Sequence, residues 1–338
     1  MFERLKYVHR YNYSRFWSHR PIILAHSITS RCNCRCKICD VWRKTGDATD
    51  LSTLEIFRML DEAEEQNFVA YLAWGGEPLL RADSLDILKH AHDLGLYTSF
   101  VTNGILLSEK ASKIAKIVDL TWVSLDHFTD YHDDMRGHEG AFDSALEGIK
   151  RLRDEGGKIA INCVLSRLNP GSVVKMAELA KDLDVKLAFD PMEVFPGIND
   201  EYVLPGLDLR HLFREISDLK KAGYPVINSF DYLRHLTSSR KYSCAQSKIF
   251  LNVAENGEVT PFWCQRAGNV IGDLREQSLS DVLHSTTYDD FNKTTEGCSL
   301  CNNSSTVETS MFYSMETFLR NCFKLPSPIL SFIVDYGI

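Results

Sequence analysis

From residue 21 to about residue 195, short runs of β-branched and aromatic residues alternate with longer segments whose apolar positions recur three and four apart. The first pattern is that of buried strands and the second that of amphipathic helices. Strands are expected at 21–29, 68–74, 97–102, 119–126, 158–166 and 185–193. Helices fall between them, for example at 52–65, 84–95 and 141–157, the last ending at a Gly156-Gly157 pair suited to a left-handed cap. Repeated βα units with right-handed crossovers build a parallel sheet, and six of them predict an α/β fold of the incomplete (β/α)6 barrel type. Beyond residue 196 the rhythm changes: a linker at 196–208, a helix at 208–222 and a hairpin at 249–262 turning around Glu255-Asn256-Gly257. The pattern divides the chain into an N-terminal extension (1–20), a barrel (21–196), a linker and helix (197–242), a small cysteine-bearing domain (243–305) and an apolar tail (306–338).

Composition narrows the function classes. The chain has 338 residues, 44% of them hydrophobic, enough for a real core, and ten cysteines. The N-terminal segment has no continuous apolar stretch of the kind a secretory signal carries, so a cytoplasmic, reducing location is expected. There, clustered cysteines bind metal or do redox chemistry more often than they form bridges. No apolar run approaches the roughly twenty residues that span a bilayer. The net charge is −8 although residues 1–20 carry Arg4, Lys6, Arg10, Arg15 and Arg20 against Glu3 alone, and so acidic a remainder argues against nucleic-acid binding.

Directly after the first expected strand comes Arg31-Cys32-Asn33-Cys34-Arg35-Cys36-Lys37-Ile38-Cys39-Asp40. Thiolates are soft ligands for iron–sulfur clusters or zinc, and a loop at the C-terminal end of a parallel strand can converge them on one centre. A structural zinc site would pair Cys32 or Cys34 with Cys39 and draw two ligands from elsewhere. Inert buried thiols would not account for four cysteines in eight residues.

Other strand ends carry polar motifs in order: Trp74-Gly75-Gly76-Glu77-Pro78-Leu79, Thr102-Asn103-Gly104, Ser124-Leu125-Asp126 and Asn162. Glycines admit a close backbone approach, Glu77 is placed to hold an ammonium by a charge-assisted hydrogen bond, and Ser124 and Asp126 are expected on one strand face. Together with Cys-x3-Cys-x2-Cys, these motifs make residues 21–195 resemble the radical S-adenosylmethionine (SAM) superfamily. The resemblance implies that Cys32, Cys36 and Cys39 hold three irons of a 4Fe–4S cluster and leave the fourth open to SAM, with Cys34 surplus. It implies further that Gly75, Gly76, Glu77, Asn103, Ser124, Asp126 and Asn162 contact SAM. Ile38 departs from the family's usual aromatic residue before the third cysteine, and Arg136 reads either as a cofactor contact or as a solvated loop arginine.

Four more cysteines follow the barrel: Cys244, Cys264, Cys298 and Cys301. With Gly268–Leu274 and Ser278–Leu283, they resemble the twitch module, the shortened relative of SPASM, and imply one auxiliary 4Fe–4S cluster; a four-cysteine zinc site is the rival reading. Cys163 and Cys322 are expected to be buried apolar thiols.

The resemblance implies reductive cleavage of SAM to a 5′-deoxyadenosyl radical and hydrogen abstraction from an unactivated carbon, with the second cluster assisting an oxidation or bond formation. It also implies a donor such as ferredoxin or flavodoxin. Asp190 and Glu193 are candidate proton acceptors by position alone. The cationic, aromatic N-terminal segment and an apolar stripe through Met311, Met315, Leu319 and Phe323 are open to two readings: closure of the barrel, or a patch around its mouth that contacts the inner membrane face and receives a lipid or isoprenoid. Peptide maturation and a non-catalytic iron–sulfur or zinc scaffold are the competing functions.

Overall fold

The apolar runs become strands in the computed structural model, which describes residues 2–43, 49–238, 241–261, 264 and 270–314. Six of them are β1 (Ile23–Thr29), β2 (Ala70–Gly75), β3 (Tyr97–Thr102), β4 (Leu120–Ser124), β5 (Ile159–Leu165) and β6 (Lys186–Pro191). The helices are α1 (Phe2–Tyr13), α2 (Thr53–Glu65), α3 (Ser84–Asp93), α4 (Leu107–Ile117), α5 (Tyr131–Arg136), α6 (Ala141–Asp154), α7 (Val173–Asp182), α8 (Gly206–Lys221), α9 (Phe230–Ser238), α10 (Leu279–Leu283), α11 (Thr286–Thr295) and α12 (Ser304–Tyr313). Local chemistry agrees with these bounds: α2 begins at a capping box in which Ser52 and Glu55 satisfy each other's backbone N–H groups.

β1 to β6 lie side by side in chain order, all parallel, as a partial barrel. Strand alternation sends Leu24 and Ile28 outward under the helices, while Ile23, Ala25, Ala70, Ala160 and Ala188 pack in a second cluster with Tyr97 and Leu120. The register of β1 against β2 shifts between Ser27 and Thr29, an irregularity at the point where the chain leaves the sheet for the cysteine loop.

The expected hairpin forms as β7 (Phe250–Val253) and β8 (Glu258–Thr260), with Gly257 at φ +96°. The periodicity did not reveal its placement. β7 lies parallel beside β1, with Ile23 opposite Phe250, and β9 (Gly272–Asp273) completes a nine-stranded sheet.

The N-terminal segment does not gather at the mouth. Tyr7 packs edge-on against Tyr97 at the start of β3, and Arg10 donates to the Phe68 carbonyl just before β2 while pairing with Glu64. α1 therefore closes the strand-start end of the barrel, because its aromatic and cationic side chains satisfy apolar surface and carbonyls there. Met311 is buried, and Met315, Leu319, Phe323 and Cys322 lie outside the described residues. Among the described residues no helix is long and apolar enough to cross a membrane.

Candidate active site at the mouth of the barrel

The cysteine loop is held in place by its backbone. Arg35 and Lys37 donate N–H bonds to the carbonyls of Arg136 and Met135, and the Trp42 indole donates to the Cys36 carbonyl. The two glycines after β2 pack on the opposite flank, where Gly76 N–H bonds to Thr29 and Glu77 N–H to Arg31. A Cβ on Gly76 would stand 2.2 Å from the Arg31 carbonyl oxygen, and one on Gly75, which sits at φ +122°, 2.5 Å from that of Thr29. The glycines are thus required by contact with the cysteine loop itself.

Cys34 and Cys36 are buried while Cys32 and Cys39 are partly accessible. Cys34 hydrogen-bonds with both Cys32 and Cys36, and its own thiol is pushed upward by those bonds. The Cys34 bond, followed by the nearby Arg136 charge, outweighs burial and holds Cys36 down at about 6, whereas burial pushes Cys39 up to about 11.

Two of the expected cofactor contacts, Glu77 and Asp126, are engaged by groups of the protein. Glu77 is fully buried, and its carboxylate accepts from Leu79 N–H at 3.0 Å, Thr102 Oγ1 at 2.9 Å and Asn103 N–H at 2.7 Å. It ties the turn after β2 to the end of β3, and burial raises it to about 7. Asp126 lies past the end of β4, so strand alternation does not carry from Ser124 to it. It is 1% exposed, accepts from Val164 N–H, and pairs at 2.7 Å with Arg136, whose Nη1 stands 3.8 Å from Cys36 Sγ. Arg136 is accordingly no solvated loop residue: its side chain is 12% exposed and it bridges a buried carboxylate and the cysteine loop.

The other expected SAM contacts and the three loop cysteines border one cavity of about 400 Å³. Cys32, Cys36 and Cys39 form one wall with Gly75, Gly76, Asn103, Ser124 and Asn162, and Ile23, Leu72, Trp74, Trp122 and Phe250 add apolar and aromatic surface. Asn162 Oδ1 and Arg136 Nε are buried with no hydrogen-bond partner among the described residues. An unsatisfied acceptor and a guanidinium beside soft donors suit a ligand with hydroxyl, amino and carboxylate groups, so the residues fit SAM above a thiolate-held cluster.

The far wall combines two residues expected from the sequence, Asp190 and Glu193, with three that were not. It comprises Asp190, Glu193, Asn303, Ser304 and Glu308. Asp190 accepts from Ser304 N–H and Oγ and from the Tyr232 hydroxyl, so it docks α12 onto β6. Glu193 Oε2 accepts from Asn303 Nδ2 at 3.2 Å. Asp190 and Glu193 were signalled by their position at the end of β6, whereas the signal for Asn303, Ser304 and Glu308 was their place shortly after Cys301.

Beside that wall, Cys244 N–H bonds to the Cys298 carbonyl and the Tyr242 hydroxyl accepts from Cys301 N–H. Burial, then the charges of Cys244 and Glu193 and after them Cys264 and Cys298, push Cys301 up to about 12, which places the other three cysteines near it. Bound metal would relieve that repulsion. Among the described residues no three ligating groups are spaced for a single ion.

The radical SAM superfamily model matches residues 26–180, and a model described as an iron–sulfur cluster-binding domain, SPASM, matches residues 244–303. The AdoMet-dependent heme synthase of Methanosarcina barkeri (strain Fusaro) is 34% identical over 288 residues, covering 78% of this chain and 82% of that protein. The Fe-coproporphyrin III synthase of the same organism is 30% identical over 166 residues, which is 48% of this chain and 41% of that protein. A solved structure of Streptococcus suis SuiB bound to precursor peptide SuiA has the same fold, with TM-score 0.69 at 16% identity, covering 85% of this chain and 70% of that one.

Proposed function

Because this chain belongs to the radical SAM superfamily and carries a SPASM iron–sulfur domain, we propose that it oxidises a largely apolar substrate, a lipid or isoprenoid chain, at an unactivated carbon. Cys32, Cys36 and Cys39 would hold the SAM-binding cluster and Cys244, Cys264, Cys298 and Cys301 the auxiliary one. When bound, these groups supply reductive cleavage of SAM to methionine and a 5′-deoxyadenosyl radical, and an acceptor for the electron that an oxidised substrate gives up. Asn103, Ser124 and Asn162 would orient SAM, while Gly75 and Gly76 hold the cysteine loop beside it. The apolar wall would seat the substrate and exclude water.

One observation carries this reading: the loop of Cys298 and Cys301 runs straight into Asn303 and Ser304, which border the same cavity as Cys32, Cys36 and Cys39. An electron acceptor that close to the substrate favours net oxidation. The substrate's apolar character is supported by the lining and by charge. Asp40, Asp190, Glu193 and Glu308 face the cavity against Arg136, so a ligand bearing several carboxylates, as tetrapyrroles do, is poorly received.

Anaerobic incubation of reconstituted protein with SAM and dithionite tests the proposal. 5′-Deoxyadenosine should form, cease in Cys36→Ala, and persist in Cys301→Ala without oxidised product. Lipid extract should stimulate it more than a peptide fraction or coproporphyrin. No 5′-deoxyadenosine from the parent protein, or stimulation by peptide or porphyrin alone, would overturn the reading.

A further inference from the structure

Between the cysteine loop and the end of β4 the chain buries two full charges. Arg136, at the end of α5, and Asp126, just past β4, stand 2.7 Å apart with side chains 12% and 1% exposed. An apolar pair of similar volume often fills such a place with little or no loss of stability, so stability alone does not account for the charges. Both residues are fixed relative to the loop. Asp126 donates its N–H to His132 Nδ1, accepts from Val164 N–H at its carboxylate and accepts from Asn169 Nδ2 at its carbonyl. The Arg136 carbonyl accepts the Arg35 N–H at 2.8 Å, and Arg136 Nη1 reaches Cys36 Sγ at 3.8 Å. Among the described residues that border the cavity, Arg136 is the one cation.

The two charges act on one sulfur with opposite sign: Arg136 favours the anionic form of Cys36, and Asp126 opposes it. His132, bonded to the backbone of Asp126, is kept neutral by burial and adds no third charge. A thiolate-held cluster gains one negative charge when it takes up an electron, and a fixed charge beside its sulfur, in a buried and poorly screened place, biases that step. We propose that the Asp126–Arg136 pair sets the reduction potential of the SAM-binding cluster: Arg136 makes the cluster easier to reduce, while Asp126 holds the guanidinium at Cys36 and offsets part of its charge. The step concerned is a one-electron reduction in which no bond is made or broken, with dithionite as the donor in the test below. Arg136 is here a positioning residue acting through Cys36. The inference rests on the reading of Cys32, Cys36 and Cys39 as a cluster site and is independent of the substrate.

The test is a redox titration of the full chain with both clusters reconstituted, anaerobic, at pH 8 and without SAM, followed by electron paramagnetic resonance. The barrel cluster is identified as the one whose signal a separate addition of SAM alters, and the auxiliary cluster serves as internal reference. At a fixed applied potential Arg136→Met should lower the ratio of reduced to oxidised barrel cluster about tenfold, a shift of about 59 mV to more negative potential. Asp126→Asn should raise that ratio about threefold, because the guanidinium is then uncompensated. The double variant should fall between the two, and Arg136→Lys, which keeps the charge, should stay within about threefold of the parent. Opposite signs in the two single variants are what a merely structural role would not produce. Should Arg136→Met hold no barrel iron, Asp126→Asn and Arg136→Lys decide the matter by the same signs. Shifts of one sign in both single variants, an Arg136→Lys potential as low as that of Arg136→Met, an equal shift of the auxiliary cluster, or potentials all equal to the parent's would each overturn the proposal. Absence of any SAM-responsive signal from the parent would overturn the reaction proposed above, whereas unshifted variants beside a normal parent signal would overturn this inference alone.

Discussion

Replacing Arg136 by methionine removes one partner of a buried ion pair and leaves the other in place. Asp126 is 1% exposed and stands 2.7 Å from the guanidinium. Stranding such a charge costs about 3–5 kcal/mol. Val164 N–H still bonds to Asp126 Oδ1 at 2.9 Å, which places the expected loss near the lower end, about 3 kcal/mol at pH 8. The loss has a definite pH dependence. Burial already raises the Asp126 carboxyl, with Arg136 as the largest opposing influence, so removing Arg136 raises it further above its unfolded value. The penalised species is the carboxylate: below the unfolded value both states are protonated and the variant loses only hydrogen bonds, about 1 kcal/mol. The difference from the parent grows as pH rises from the parent's folded value to the variant's higher one, by up to about 1.4 kcal/mol per pH unit. Urea unfolding of apo protein, anaerobic and reduced, at pH 5 and pH 8 measures it. The double variant Asp126→Asn with Arg136→Met should lose the pH dependence. A difference from the parent equal at both pH values, or below about 1 kcal/mol at pH 8, refutes the reasoning.

Gly76→Ala, whose Cβ would meet the Arg31 carbonyl, should yield protein with most of its barrel-loop iron missing, whereas Gly171→Ala, which meets nothing within 4 Å, should match the parent in iron and melting temperature. Asp190→Asn disrupts the acceptor for Ser304 N–H and Oγ and should cost about 1–3 kcal/mol, read as a lower melting temperature and easier loss of auxiliary iron to chelator. Arg10→Ala, at the far end of the barrel, should lower stability by about 1.5–3 kcal/mol while leaving 5′-deoxyadenosine formed per folded enzyme unchanged.

The strands and most of the near wall were legible because both follow from local pattern: period-two runs for the sheet, and cysteines, glycines and polar residues at strand ends. Glu77 and Asp126 show where local pattern stops. Glu77 is expected to hold an ammonium and Asp126 to share a strand face with Ser124, and in the structure both carboxylates are engaged by groups of the protein. Glu77 is spent on two backbone N–H groups and a threonine hydroxyl, Asp126 on an arginine ten residues further along the chain. Nothing in a motif tells whether a carboxylate looks into a cavity or behind its wall. The desolvation of a buried charge decides that, and it depends on partners distant in sequence. The N-terminal segment shows the same limit from the other side, since its composition suits a membrane surface but also suits the ring of carbonyls and aromatics at the barrel's closed end.

The part of the far wall built from residues 303–308 was illegible for a further reason, and it bears on function. Residues 303–308 reach the cavity because β7, some 220 residues after β1, adds to the open edge of the sheet, and because Asp190 receives Ser304 at the start of α12. Both contacts are long-range, so no window of sequence contains them. Their consequence is that the second cysteine set is joined to the barrel by strand pairing and by buried hydrogen bonds, rather than tethered by a linker. A group that only stored or relayed electrons from solvent could be held loosely. Fixing Cys301 two residues from Asn303, which borders the cavity, is what the proposed electron acceptor for a short-lived substrate radical would require, since the transfer must compete with side reactions of that radical. Weakening the Asp190–Ser304 contact should therefore raise 5′-deoxyadenosine formed per oxidised product more than it lowers the rate of SAM cleavage. An unchanged ratio in Asp190→Asn, with both clusters still present, would show that the docking of α12 serves stability alone.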